Sequence, residues 1–236
     1  MVKICFATGN LYKFIGKIDI IEIISNLDID GIEWTYGKEF GERVVSCQDE
    51  QILQNFSCNS LHAPFHFSLK YHTQKELEEG LTLMEKDAKK INAKQIVFHP
   101  GQIIPKEIFS NCSLLLLTEN LSSKKSKPRP QMEFEEDLAN NPSWGLCLDV
   151  SHAYSWGQQE TKRIVDKWGK RIKQVHLSNC FRNECHMSFE HVSKGFCKSI
   201  EPLDCFGVPI IIEEEMKSCS PRWLNAEVKR IKNMLG

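Results

Sequence analysis

Apolar residues recur along this chain in short strand-length runs, each followed by a stretch with helical or no clear period. Val2–Ala7, Gly31–Tyr36, Ser57–His62, Gln95–His99, Leu114–Glu119, Gly145–Asp149, Ile172–Leu177 and Val208–Glu213 read as eight strands. Leu11–Leu27, a segment around Asp49–Phe56, Thr73–Ile91, Glu160–Trp168 and Pro221–Leu235 read as helices. Thr73–Ile91 is the clearest, because Leu77, Leu81, Met84, Ala88 and Ile91 share one face and Lys and Glu fill the other. Pro64 ends the third strand, since proline cannot donate to a central ladder, and Pro100-Gly101 closes the fourth.

Strand followed by helix, eight times over, predicts a parallel α/β sheet closed into a (β/α)8 TIM barrel, one domain spanning residues 1–236. The connections between strands four and five and between seven and eight are short or weakly helical, so one or two helices are expected to be short or missing. An open doubly wound sheet would instead need a Gly-rich phosphate loop after the first strand, and ATGNLYK (Ala7–Lys13) is a poor one.

In a strand, side chains two apart face the same way. That rule aligns Cys58-Ser60-His62, Gln95-Val97-His99, Leu115-Leu117-Glu119, Gly145-Cys147-Asp149, Ile172-Gln174-His176 and Pro209-Ile211-Glu213 as barrel-facing sets. In all six the last inward position is His, Asp or Glu, and Glu33 falls in the same register on strand two. His152 follows Asp149 by three residues, and His186 lies in the loop after strand seven. Imidazoles and carboxylates converging at the C-terminal rim suit Zn²⁺ or Mn²⁺, with Co²⁺ or Fe²⁺ also possible, better than Ca²⁺. Taken singly, each is an ordinary polar strand end; a whole buried layer of them without a ligand would be costly to desolvate.

Composition narrows the rest. The net charge is −1, so no global basic field favours nucleic acid. No apolar run is membrane-length, and the start, MVKICFATGN, lacks a signal peptide's apolar core, so a cytoplasmic protein is expected. Ten cysteines without a C-x-x-C pair read as reduced core residues, with Cys180 and Cys185 the pair of interest.

GIEW (Gly31–Trp34), LHAP (Leu61–Pro64), VFHPG (Val97–Gly101), TEN (Thr118–Asn120), LCLDVSHA (Leu146–Ala153), VHLSN (Val175–Asn179) and PIIIEE (Pro209–Glu214) occur in an order and spacing that resembles the xylose isomerase-like TIM-barrel superfamily. That group includes sugar and sugar-phosphate isomerases and epimerases and the endonuclease IV group. The resemblance implies Glu119, Asp149, His176 and Glu213 as core metal ligands. It implies His62, His99, His152 and His186 as the further ligands with which the endonuclease IV group holds three metals. That group carries Asp-x-His after strand seven where this chain has Glu184-Cys185-His186, so His186 and His191 both stay open.

Two chemistries fit, with one to three divalent ions. As a sugar or sugar-phosphate isomerase or epimerase, a metal-stabilised enediolate would form while Glu119 and Glu213 act as the acid–base pair. As an endonuclease IV-like zinc phosphodiesterase, the chain would cleave DNA at abasic sites. The imidazole-rich ligand set favours the second, and the short length and near-neutral charge favour the first, which is taken as the leading expectation. A metal-holding barrel without catalysis is the third reading. Lys124 and Lys125 in SSKKSKPRP (Ser122–Pro130) could clamp a phosphate, although a solvated loop explains them as well, and Trp156 could line a sugar face. The expected partner is a small sugar or sugar phosphate, with DNA only under the alternative. The oligomeric state is left open.

Overall fold

The computed structural model describes residues 2–14, 19–37, 45–102, 104–123, 130–205 and 207–236. Eight parallel strands close into a barrel: β1 (Ile4–Ala7), β2 (Gly31–Thr35), β3 (Cys58–His62), β4 (Gln95–Phe98), β5 (Leu115–Glu119), β6 (Gly145–Asp149), β7 (Ile172–Leu177) and, last in the chain, β10 (Ile210–Ile212). Each pairs with its neighbour in sequence, and β10 closes the ring by pairing with β1, Ile4 opposite Ile210. Gly31 is required where β2 passes β3, because a Cβ there would sit 1.5 Å from the Cys58 carbonyl oxygen.

The helices form where local chemistry starts them. Thr73 and Glu76 make a reciprocal capping box at the head of α3 (Gln74–Lys90), and Ser46 and Asp49 do the same for α2 (Cys47–Leu53). The helix expected over Leu11–Leu27 is divided. A 3-10 turn covers Thr8–Phe14, and α1 (Ile20–Ser25) starts afresh because the Asp19 carboxylate accepts from the Ile21 and Glu22 amides. Between β4 and β5, where a short or missing helix is expected, a 3-10 turn, Lys106–Phe109, stands in place of a helix. The sequence pattern predicts α6 (Glu160–Trp168) and α8 (Pro221–Leu235) with these bounds, whereas α4 (Pro130–Asn140), α5 (Val150–Trp156) and α7 (Lys194–Ile200) are not among the helices it predicts. It also missed a hairpin after β7, in which β8 (Asn179–Phe181) pairs antiparallel with β9 (Glu184–Met187).

Alternate side chains divide the core in two. One large cluster fills the layer between strands and helices, while small sets made of Cys5, Ala7 and Ile211, and of Val97, Leu117 and Cys147, fill the barrel interior. Ile172 departs from the expected inward register: at a register shift between β6 and β7 it joins the outer cluster. Among the described residues no helix is long and apolar enough to cross a membrane.

Candidate metal centre

Three carboxylates and five imidazoles meet at the C-terminal mouth, beside a cavity of about 590 Å³. Glu119, at the end of β5 and 1 % exposed, is the hub. Its Oε2 lies 3.5 Å from His62 Nε2 and 3.4 Å from His99 Nε2. Its Oε1 lies 3.4 Å from both His152 Nδ1 and His176 Nδ1. The residues fall into overlapping ligand groups whose atoms lie within 4.8 Å of one another: His62, His99 and Glu119; Glu119, Asp149, His176 and Glu213; Asp149, His152 and His186; and a further combination of His62, His176 and Glu213.

Backbone carbonyls and one buried acid orient the imidazoles. A carbonyl oxygen only accepts, so a ring nitrogen bonded to one carries a proton, and in the neutral ring the other nitrogen holds a lone pair. His62 donates from Nδ1 to its neighbour Ala63 O at 3.0 Å, and Nε2 faces Glu119. Likewise His152 Nδ1 donates to Asn120 O at 2.9 Å and His186 Nδ1 to Glu213 O at 3.1 Å. The lone pairs of His152 Nε2 and His186 Nε2 therefore face each other at 3.0 Å, a repulsive contact unless a cation or a proton lies between them. His176 is held from the opposite side: Nε2 meets Glu33 Oε2 at 3.1 Å, and Nδ1 faces the cluster.

Several buried atoms of the cluster have no hydrogen-bond partner: Glu119 Oε2, Asp149 Oδ2, Glu213 Oε2 and His176 Nδ1. Glu213 Oε2 lies 2.9 Å from His176 Nδ1 yet does not hydrogen-bond it, as two ligands aimed at a common third centre would behave. Buried polar atoms without partners are costly, and nitrogen and carboxylate oxygen are the donors Zn²⁺ and Mn²⁺ take. The residues fit a divalent metal.

Electrostatics agree. Burial works against ionising Glu119, but the imidazoles of His152, His176 and His62 outweigh it and hold the carboxyl well below its usual range. Burial likewise pushes His62 down, yet Glu119, with Glu33 and Glu213 behind it, raises it to about 9. Glu213 is held below the ordinary carboxylate range, burial opposing and His176 prevailing.

The local chain explains how these groups are aimed. Asp149 ends β6 and caps α5: its Oδ1 accepts from the His152 amide at 2.7 Å and from Ser151 Oγ at 2.9 Å, leaving Oδ2 for the cluster. Asn120, whose role the sequence did not reveal, exchanges two 2.8 Å bonds with the Asp149 backbone. His186 has a φ of 59°, in the left-handed region, and its carbonyl accepts from the Glu215 amide at 2.7 Å. His191 is exposed and contributes its carbonyl to Asn179 Nδ2, so of the two open candidates His186 is the one brought to the cluster.

Other expectations change. Glu33 does not line the cavity: it is fully buried inside the barrel and accepts from Gln174 Nε2 at 2.6 Å as well as facing His176, which makes it a support for a ligand rather than a substrate contact. Trp156 is also absent from the cavity wall, because its indole Nε1 donates to Leu121 O at 2.8 Å. Lys124 and Lys125 lie outside the described residues. Lys13, which the sequence reading passed over, does line the cavity and pairs with Glu215 at 2.9 Å. Phe65, 45 % exposed, lines it too, its ring 4.8 Å from that of His99.

No family model and no curated protein matches the sequence. Solved structures do match the fold. A D-tagatose 3-epimerase-like protein is 18 % identical, with 99 % of this chain and 98 % of that one covered and a TM-score of 0.70. Endonuclease IV from Thermus thermophilus is 15 % identical over 99 % and 98 % of the two chains, with a TM-score of 0.66. The 3-keto-D-glucoside 4-epimerase from E. coli is 11 % identical over 99 % and 100 %, with a TM-score of 0.68. Barrel order and these likenesses agree, and the chain has the TIM-barrel fold of these proteins.

Proposed function

We propose that this chain is a divalent-metal-dependent phosphodiesterase of the endonuclease IV kind, the reading that the sequence alone placed second. The carrying observation is the contiguity of the ligand groups: Glu119 and Asp149 each belong to more than one, and His152 and His186 turn facing lone pairs toward one point. A single-ion sugar enzyme needs only the four-residue group of Glu119, Asp149, His176 and Glu213, which leaves the other imidazoles without a task.

Divalent ions in these groups would supply Lewis acidity and stabilise charge on a transferring phosphoryl group. The chain's own part is geometric and electrostatic. The carbonyls of Ala63, Asn120 and Glu213 fix three imidazoles before substrate arrives, so little reorganisation is needed on binding. The ammonium of Lys13, the one lysine or arginine among the described cavity-lining residues, offers an anionic substrate a cationic contact at a mouth otherwise rich in carboxylates. Phe65 gives the same cavity an exposed apolar face.

A sugar or sugar-phosphate isomerase or epimerase is the second reading, supported by Glu119 and Glu213 lying in one ligand group and by a cavity of small-molecule size, about 590 Å³. Incubation of zinc- or manganese-loaded protein with an abasic-site duplex should give strand cleavage. An intact duplex, alongside interconversion of sugar or sugar-phosphate epimers by the same preparation, overturns the first reading for the second.

A further inference from the structure

Next to the ligand cluster lie two thiols that the proposed chemistry does not use. The hairpin of β8 and β9 places Cys180 and Cys185 on adjacent strands with their sulfurs 3.8 Å apart. Cys180 is buried. Cys185 is half-buried and forms part of the cavity wall, so a small reagent entering the mouth reaches it first. Neither is in a disulfide. A disulfide needs its sulfurs about 2.05 Å apart, and positions facing each other across adjacent strands of a hairpin are within reach of that.

The neighbours make the pair consequential. Cys185 stands between Glu184 and His186, and His186, in a left-handed backbone position, holds its Nε2 3.0 Å from His152 Nε2. Cys185 also touches the Ser151 carbonyl at 3.4 Å, one residue before His152. Drawing its sulfur toward Cys180 would pull on both sides of the His152–His186 contact.

We propose that Cys180 and Cys185 form a redox-active dithiol whose oxidation by peroxide to a disulfide withdraws His186 from His152. The ring displacement is the consequence for the metal centre, and that clause alone rests on the function proposed above. Cys185, as thiolate, attacks one oxygen of hydrogen peroxide; the O–O bond breaks, a sulfenic acid forms, and the departing hydroxide takes a proton to leave as water. Cys180 Sγ then attacks the Cys185 sulfur, the S–S bond forms, the S–O bond breaks, and a second water leaves. Two thiols lose two electrons and two protons, and one peroxide becomes two waters.

The test uses the full chain, first stripped of metal with a chelator, then treated with hydrogen peroxide and digested with trypsin. Cleavage after Arg182 separates the two cysteines, so the disulfide appears as the linked peptides Gln174–Arg182 and Asn183–Lys194. Expected are that linked pair, an intact mass lower by about 2 Da, and reversal by dithiothreitol. Cys180→Ser should give no linked pair and should leave a sulfenic acid at Cys185 that dimedone traps. Peroxide that leaves both thiols free, or joins either to another cysteine, overturns the dithiol. Zinc reloading then separates the two readings: the oxidised protein should retain less zinc per chain than the reduced protein. Equal, non-zero zinc in both states refutes the withdrawal of His186. No zinc in either state refutes the metal centre while the linked peptides stand.

Discussion

The floor and the mouth of this barrel are built from the same strands and differ in almost every physical respect. On β4, β5 and β6 the floor carries Val97, Leu117 and Cys147, fully buried and in contact with one another. Two residues further along each strand stand His99, Glu119 and Asp149. The floor consists of side chains that packing and one hydrogen bond from Gln174 Nε2 to Cys147 Sγ satisfy, whereas the mouth leaves carboxylate and imidazole atoms without partners. The difference teaches where each part takes its stability from: the floor from apolar burial present at all times, the mouth, under the function proposed above, from a bound cation.

The comparison is broken or sharpened most strongly at Glu119. Glu119→Gln should weaken zinc binding by more than about 100-fold, beyond the loss typical of a supporting residue, because two ligand groups use this carboxylate. Competition against a chelating dye measures it, and wild-type affinity in the variant would show the mouth is not a metal centre. At the floor, Leu117→Ala should cost about 2–5 kcal/mol in urea unfolding while zinc stoichiometry is kept. Loss of zinc with unchanged stability would erase the division between the two regions.

Glu33 lies between them, touching His176 above and tied by Gln174 to Gln95. Glu33→Gln should lower zinc affinity by about 10–100-fold, with Glu33→Asp recovering part of it. An effect on thermal stability alone would make Glu33 a packing residue.

The smallest effect concerns pH in metal-free protein. His62 titrates at about 9 when folded, above its ordinary 6.5, so the stability it contributes is present below pH 6.5 and is lost as pH rises through 9. Glu119 is held below its ordinary value, so its contribution is present above pH 4.5 and is lost as pH falls. The thermal midpoint without metal should therefore fall between pH 6.5 and 9, less so in His62→Gln, and zinc should shrink that fall by taking the proton's place on the imidazole. A midpoint flat across that window, or a fall unchanged in His62→Gln, contradicts the assignment.

Much of this was legible in the chain. The alternation ending in His62, His99, Glu119, Asp149, His176 and Glu213 fixes which side chains share a face, since the strand period of two is a property of the backbone. The same argument placed Glu33 correctly by register but not by neighbour, because it is the closed ring that brings residues 33 and 176 to 3.1 Å. The hairpin after β7 escaped notice because its strands are three and four residues long, too short for periodicity to show.

By itself, then, the sequence determined the barrel, its strand ends and the identity of the ligand candidates, all of which follow from local periodicity and residue chemistry. Only the tertiary structure decided which nitrogen of His62, His152 and His186 donates to a backbone carbonyl, that His186 rather than His191 enters the cluster, and that Cys180 and Cys185 share a contact. Those depend on carbonyls and side chains brought together by ring closure and by the hairpin, and no local pattern encodes such distances.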